Sequence, residues 1–213
     1  MLYYYVLDTE TTGLKAGYHE VNQISCLRVS DGEIIIVDIK VDFPERVNQI
    51  SLEIQGKTKS DLLKGIDKRE GIKLVHDFIS SDNHKLEERC MVAHNASFDQ
   101  RFTHMEWDVV GLVFPANLWL CTKTLGRKYV KKVGEQKIIK AQRTPKVKYG
   151  LNILMEGVGL TPKTGAHDAQ VDTENCSELF NFLMNSEIEH VSSIKRVPHK
   201  EDVKAKSVIP DDY

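Results

Sequence analysis

Two carboxylates, Asp8 and Glu10, follow a short run of aromatic and aliphatic residues that begins at Tyr3. Such a run is typical of a buried central strand, in which side chains two residues apart point to the same face. We therefore expect both carboxylates to project together from the end of an inner strand, where their charges repel and lose hydration. A hard, oxygen-liganded cation such as Mg²⁺ suits such a pair best. The alternative is an acidic pair in solvent at a strand end.

Two further aspartates lie near the starts of predicted helices. Phe98 and Phe102 recur at helical spacing and predict a helix from about residue 96, with Asp99 in its first turn. Compensation of the helix dipole is a sufficient reason for an aspartate there. Asp172 is harder to explain, because it lies four residues before Cys176 on the apolar stripe of a predicted long helix. An ionised carboxylate on a core-facing stripe is costly unless it is paired or bound to a cation.

The elements that carry these acids follow from hydrophobic periodicity and turn signals. Strands are predicted at 3–7, 21–29, 33–41, 91–93 and 118–121, and the Asp31-Gly32 pair predicts a hairpin between the second and third. Helices are predicted at about 73–80, from 96, after 121, at 149–156 and from 166 onward, whereas 50–56 has no clear pattern. The chain is thus predicted to be α/β, and in open α/β sheets strand ends and early helix turns converge on one crevice.

Composition and length bound the protein class. The chain has 213 residues, 41% hydrophobic and 28% charged, which is typical of a soluble globular protein. We expect one domain over 1–185 and a polar C-terminal tail over 186–213, either draped over the domain or mobile. No apolar run is long enough for a membrane span, and no secretory signal is visible. Four scattered cysteines without a C-x-x-C pair favour a reduced, cytoplasmic setting.

The basic residues are concentrated in one stretch. Residues 123–148 hold ten lysines and arginines against a single acid, Glu135, in a chain whose net charge is -2. A charged run is usually a solvated face, but one this uneven beside a cluster of acids favours a track for a phosphate backbone. Tyr129 lies within the stretch and could stack on a base.

The four acids and a nearby histidine predict a metal-dependent hydrolase. Asp8, Glu10, Asp99 and Asp172 around one crevice would suit two Mg²⁺ ions roughly 3.5–4 Å apart, which can activate a water and stabilise the leaving oxygen of a phosphodiester. His167, five residues before Asp172, is a candidate to take the proton from that water. A lone histidine is more often structural, but this one adjoins the least easily explained acid of the chain.

Three segments carry a resemblance to a known family. Asp8–Gly13, His94–Asp99 and His167–Asp172 resemble, in the same order, the three exonuclease motifs of the DEDDh family. This is the DnaQ-like group with an RNase H-like fold, which includes proofreading subunits of bacterial DNA polymerase III. The resemblance covers roughly residues 1–184. Each motif alone is weak, whereas three in order at these separations are highly specific.

The resemblance implies a fold and a set of roles. It implies an RNase H-like mixed sheet, with the first three strands antiparallel and later strands parallel, flanked by helices. The four acids would hold two Mg²⁺ ions, with Mn²⁺ as a substitute, and His167 would be the general base. Four residues match positions that contact the terminal nucleotide: Thr11, Leu14, Asn95 and Phe98. Family members often have a histidine before a glycine after the third strand, where this chain has Gln55-Gly56.

The expected activity is metal-dependent 3′-to-5′ exonuclease hydrolysis of DNA that releases nucleoside 5′-monophosphates. The first alternative is the same chemistry on RNA, as in oligoribonuclease-like and RNase T-like relatives, since recognition of the 2′-OH depends on pocket shape. The second is a non-catalytic nucleic-acid-binding subunit, against which the complete acid set and His167 argue. The expected partners are a nucleic acid 3′ end, with single-stranded DNA preferred over RNA, and a separate polymerase or replication protein, with no membrane.

Overall fold

The computed structural model describes residues 1–165 and 167–198. Within them it contains one six-stranded sheet: β1 (Tyr3–Thr11), β2 (Val21–Arg28), β3 (Ile34–Asp38), β4 (Arg89–Ala93), β5 (Leu118–Cys121) and β6 (Lys195–Arg196). The same residues form seven α-helices: α1 (Gln49–Gln55), α2 (Lys68–Ser80), α3 (Ser97–Val109), α4 (Thr122–Val133), α5 (Glu135–Gln142), α6 (Leu151–Val158) and α7 (Ala169–Met184).

The strand order is β3-β2-β1-β4-β5-β6, so β1 lies inside the sheet as its apolar run predicts. β1, β2 and β3 pair antiparallel, whereas β4 and β5 continue the sheet parallel to β1. The predicted α/β, RNase H-like mixed sheet is thereby confirmed. β6 adds an antiparallel edge beside β5, which sequence patterns did not predict.

Alternation along β1 divides the core into two layers. Tyr5 and Leu7 face a cluster that includes buried residues of α2 and α3, whereas Val6 faces a cluster that includes residues of α4, α6 and α7. This alternation is what a strand buried on both faces requires. It also fixes which helices can reach each side chain at the end of β1.

Most predicted elements are present, with shifted ends. The strand at 118–121 matches β5, and the predicted apolar stripe of α7, from Cys176 to Leu183, is buried. The segment without a clear pattern forms α1, capped by the side chain of Asn48 and ended by Gly56 in the left-handed region. α5 was also missed, because lysines hide the apolar positions of this short helix.

The first part of the predicted tail lies against the rest of the chain. Ile188 is buried among residues of the α7 layer, and the Val197 amide donates to the Asn117 carbonyl at 2.8 Å. This corresponds to the draped alternative for 186–198, while 199–213 lie outside the described residues. The boundary at 185 stays a prediction. In the part of the chain that the structure describes, no helix is long and apolar enough to cross a membrane.

Candidate active site

The end of β1 presents its two carboxylates to the α7 side of the sheet. Asp8 and Glu10 continue the row of Val6, which packs in the α7 layer. Glu10 is 8% exposed and Asp8 is partly buried. The register of β1 against β2 shifts between Glu10 and Thr11, and such irregularities often re-aim side chains next to active sites.

Hydrogen bonds to β2 and to its own cap fix the start of α7. The Ala169 amide donates to the Gln23 side chain at 3.2 Å, which ties the helix N-terminus to β2. Asp168 caps the helix by accepting from the Gln170 and Val171 amides. Asp172, one turn inside α7, therefore lies over the end of β1, and its Oδ2 accepts from the His167 amide at 3.1 Å.

Asp99, the remaining predicted acid, comes from the opposite layer of the core. Thr9 continues the row of Tyr5 and Leu7, and its hydroxyl donates to Asp99 Oδ1 at 2.9 Å. Asp99 lies in the first turn of α3 and is 3% exposed. Dipole compensation at a surface helix end does not explain so deep a position. Ahead of α3, Asn95 has a φ of 75°, a left-handed conformation that turns the chain from β4 into the helix.

One cleft of about 330 Å³ brings together all nine residues singled out from the sequence. The predicted catalytic and metal-binding residues in it are Asp8, Glu10, Asp99, His167 and Asp172, and the predicted nucleotide-contacting residues are Thr11, Leu14, Asn95 and Phe98. Leu14 is 77% exposed at its rim. Their individual roles stay predictions.

Burial and mutual repulsion disfavour the ionised carboxylates of this cleft. Burial, then the charges of Asp99 and Glu10, raise the pKa of Asp8 well above its usual range. Burial, then the charge of Asp172, raise the pKa of Glu10 to about 8. Burial raises the pKa of Asp99 to about 7 and also raises that of Asp172, which the His167 amide partly offsets. A cluster of this kind is ionised together only when positive charge is supplied.

The donor set fits divalent ions. Side-chain ligand atoms of Glu10, His167 and Asp172 lie within 4.8 Å of one another, which is close enough for one ion. Asp99 is the neighbour whose charge acts most strongly on Asp8. Carboxylate oxygens are the ligands that Mg²⁺ and Mn²⁺ prefer. Sequence reasoning placed His167 beside this site as a general base that binds no metal directly.

Several cleft residues were missed from the sequence. Gln55 at the end of α1 donates to the Thr11 carbonyl and accepts from the Asn22 side chain, both at 2.8 Å. It thus fixes this wall of the cleft. Ser51 and Ile54 of α1 line the same wall. The Asn48 cap and Gly56 could have indicated α1, but not that it packs beside β1.

His94 also lines the cleft. Its ring nitrogens lie 2.9 Å from the Thr122 hydroxyl and 2.8 Å from the Tyr149 carbonyl oxygen. Burial lowers the pKa of His94 to about 4, so its ring is neutral near pH 7 and acts as a fixed hydrogen-bonding link between β4 and α4.

The basic stretch is not one continuous free surface. Lys128 pairs with Glu189 at 2.7 Å and Lys132 with Glu187 at 3.4 Å, so both hold the segment after α7 against α4. Tyr129 is partly buried and packs edge-on against Phe182, with ring centroids 5.2 Å apart, beside the apolar core of the α7 layer. A role for Tyr129 in stacking on a base stays a prediction.

Comparisons with known proteins match this arrangement. The RNase_T family model, described as an exonuclease, matches residues 5–180. A DNA polymerase III PolC-type protein of Staphylococcus saprophyticus is 31% identical over 179 residues, which are 83% of this chain and 11% of that protein. The chain thus spans about a tenth of the length of such relatives.

Two solved structures share the fold. The nuclease domain of 3′hExo, a DEDDh family member bound to rAMP, superposes with a TM-score of 0.66 at 13% identity, covering 92% of this chain and 96% of that one. Escherichia coli exonuclease I in complex with a dT13 oligonucleotide gives a TM-score of 0.68 at 15% identity, covering 88% of this chain and 42% of that one.

Proposed function

The chain belongs to the DEDDh exonuclease family, and from that membership we propose that it removes nucleotides from the 3′ end of DNA and releases nucleoside 5′-monophosphates. Membership itself makes the chain a nuclease domain that acts on nucleic acid and depends on divalent metal. The observation that carries the finer proposal is the single cleft in which four carboxylates from β1, α3 and α7 meet beside His167.

The four acids would hold two divalent ions, Mg²⁺ or Mn²⁺, by their carboxylate oxygens. Such ions supply the Lewis acidity that stabilises charge on the oxygens of the phosphate being cleaved. Asp8 is fixed by its place on the strand and the buried Asp99 by the Thr9 hydroxyl, so both need little reorganisation when ligands bind. Preorganisation of this kind is what lowers a barrier without cost at the moment of reaction.

His167 is the proposed general base, which takes a proton on an imidazole nitrogen from the attacking water. It lies on the exposed loop just before α7, beside Glu10 and Asp172, so its side chain can reach solvent and the acids together. Its φ of 66° is a conformation that few residues other than glycine adopt, and such strain often occurs at functional sites.

The terminal nucleotide would be held between the apolar and polar walls of the cleft. Leu14 and Phe98 offer apolar surface for a base or sugar, while Thr11 and Asn95 offer hydrogen-bonding groups. Leu14 is 77% exposed, so packing within the fold does not explain why an apolar side chain lies at the rim of the cleft.

DNA is the preferred substrate in this proposal because the curated relatives are DNA polymerases of the PolC type. Those relatives also support a replication setting with a polymerase as partner. RNA is the second candidate, because a neighbour of similar fold carries rAMP. The 2′-OH distinguishes the two only through the shape of the pocket.

A substrate panel tests the proposal. Purified protein with Mg²⁺ is given 5′-labelled single-stranded DNA, duplex DNA and RNA of one sequence, and products are resolved with time. We expect the fastest shortening on single-stranded DNA. A kcat/KM at least tenfold higher on RNA than on DNA would make RNA the substrate in place of DNA. If no strand is shortened, the proposal that the protein is an exonuclease is contradicted.

A further inference from the structure

A second cavity of about 250 Å³ borders the cleft. Asn95 lines both, so the two spaces meet at the turn between β4 and α3. Three cations line this second cavity, Lys123 and Arg127 from α4 and Lys195 from β6, and we call it the basic pocket. None of its lining residues among those the structure describes is acidic.

These three cations differ from the other basic residues of α4. Lys128 and Lys132 are paired with Glu189 and Glu187, whereas no ion pair joins Lys123, Arg127 or Lys195 to an acid within residues 1–165 and 167–198. Cations gathered in a concave site without counter-charge raise the local concentration of anions.

Two buried donors of the same pocket lack partners. Trp119 is 2% exposed and Ser193 is 8% exposed, and both line the pocket. The Trp119 Nε1 and the Ser193 Oγ have no hydrogen-bond partner in the described part of the chain. A buried donor without a partner is costly, and each such group needs an explanation. Donors without partners in the wall of a cationic pocket are suited to a bound acceptor.

Two helix N-termini add to the positive potential. Residues of the first turns of α3 (Ser97) and α4 (Lys123) line the pocket, and neither helix has a side-chain cap. The unpaired amides at such ends favour anions. Cations, unpaired donors and helix ends together suit a tetrahedral oxyanion.

We propose that the basic pocket binds a phosphate group of the substrate strand beyond the reacting nucleotide. The assignment rests on the proposed function, because it takes the reacting phosphate to lie among the acids of the cleft. A strand leaving the cleft past Asn95 would enter the pocket next. The binding of long strands then depends on Lys123 and Arg127 rather than on the whole basic stretch.

The first test uses inorganic phosphate as the probe and NMR as the readout, with wild-type protein in chelator. The chain has two tryptophans, so the ¹H–¹⁵N spectrum shows two indole signals, which Trp119→Phe assigns. Phosphate is expected to shift the Trp119 signal with saturation. The Trp107 signal should stay in place, because its Nε1 already donates to His76 at 3.3 Å. An unmoved Trp119 signal overturns the proposal.

The second test distinguishes a strand phosphate from a free one. Lys123→Gln with Arg127→Gln is compared with the matched pair Lys137→Gln with Lys140→Gln, which removes the same charge from exposed positions of α5. Binding of a single-stranded DNA decamer is titrated in Ca²⁺ at several salt concentrations. The pocket variant should bind more weakly, with a salt slope lower by about 1.4, at roughly 0.7 per lost contact on single strands. Equal slopes for the two variants would overturn the strand assignment, even if inorganic phosphate binds.

A small substrate separates this proposal from the function on which it rests. Thymidine 5′-monophosphate p-nitrophenyl ester has no phosphate beyond the reacting one. Both double variants should hydrolyse it at the wild-type rate in Mg²⁺, because the acid cleft is unchanged. If the wild type hydrolyses neither this ester nor DNA, the exonuclease function is contradicted. If only the pocket variant loses ester hydrolysis, the basic pocket belongs to the reacting centre and the proposal is contradicted.

Discussion

His167 has two possible roles that the geometry of the cleft supports, a base or a metal ligand. As a base, it acts only on the attacking water, so His167→Gln should lower kcat by about 10²–10⁴-fold and leave Mg²⁺ affinity nearly unchanged. Steady-state kinetics and a Mg²⁺ titration measure the two effects separately. A large loss of Mg²⁺ affinity with kcat restored at saturating Mg²⁺ would show that His167 is a ligand instead, together with Glu10 and Asp172.

The buried acids give the metal-free protein a defined pH dependence. The pKa values of Asp99 and Glu10 in the folded protein are raised to about 7 and about 8, above ordinary values of 3.8 and 4.5. The folded state therefore binds more protons, and the stability these groups contribute is full below pH ~4 and lost as pH rises through ~8. In chelator the melting temperature should fall as pH rises over this range. Excess Mg²⁺ should raise the melting temperature again, and the rise should be largest at pH ~8.

Asp99→Asn is the matched variant for this measurement, because it removes one buried charge and keeps the shape. It should melt at a higher temperature than the wild type in chelator at pH ~8. Glu87→Gln is the control, since Glu87 is exposed before β4, at the end of the sheet opposite the cleft. A melting temperature in chelator that is independent of pH, or a similar gain from Glu87→Gln, would show that repulsion in the cleft is not the cause.

At the scale of elements, a buried ion network joins α2 to α3 and to the start of β2. The Lys68 ammonium contacts the carboxylates of Glu20 and Glu106, and Glu106 also accepts from the Val21 amide at 2.9 Å. Lys68→Met would leave two buried carboxylates without their cation, which typically costs about 3–5 kcal/mol. Denaturant unfolding measures this loss.

Lys73→Met on the same helix is the control, because Lys73 is exposed and pairs with the exposed Asp77. A surface pair of this kind contributes about 0–1 kcal/mol. Similar free energies of unfolding for the two variants would mean that the network does not stabilise the fold.

The elements also show what sequence patterns can predict. β1, β5 and α7 could be predicted because the pattern of apolar residues indicates which positions are buried. The cleft residues could be predicted because the three motifs lie at the ends of strands and the starts of helices. β6 could not be predicted, because a two-residue strand has no period and depends on a distant partner, β5. For the same reason, the pairing of Lys128 with Glu189 could not be predicted from local charge.

At the scale of the whole molecule, the segment after α7 closes the α7 layer. Ile188 is 8% exposed among apolar residues of that layer, whereas Val191, three residues on, is 69% exposed. Ile188→Ala should therefore lower the free energy of unfolding by about 2–5 kcal/mol, and Val191→Ala by less than about 0.5 kcal/mol. Equal effects in denaturant unfolding would restore the view of 186–213 as a tail separate from the domain, which is the boundary proposed from composition.

The central claim is that the acids of one cleft remove nucleotides from a 3′ end with divalent metal. The most direct measurement follows a 5′-labelled DNA single strand in Mg²⁺ with wild type, Asp99→Asn and Glu87→Gln. We expect a ladder of strands shortened from the 3′ end with wild type and Glu87→Gln. Asp99→Asn, and wild type in excess chelator, should give none. A ladder that persists with Asp99→Asn or in chelator, or a labelled mononucleotide released from the 5′ end, would contradict the claim.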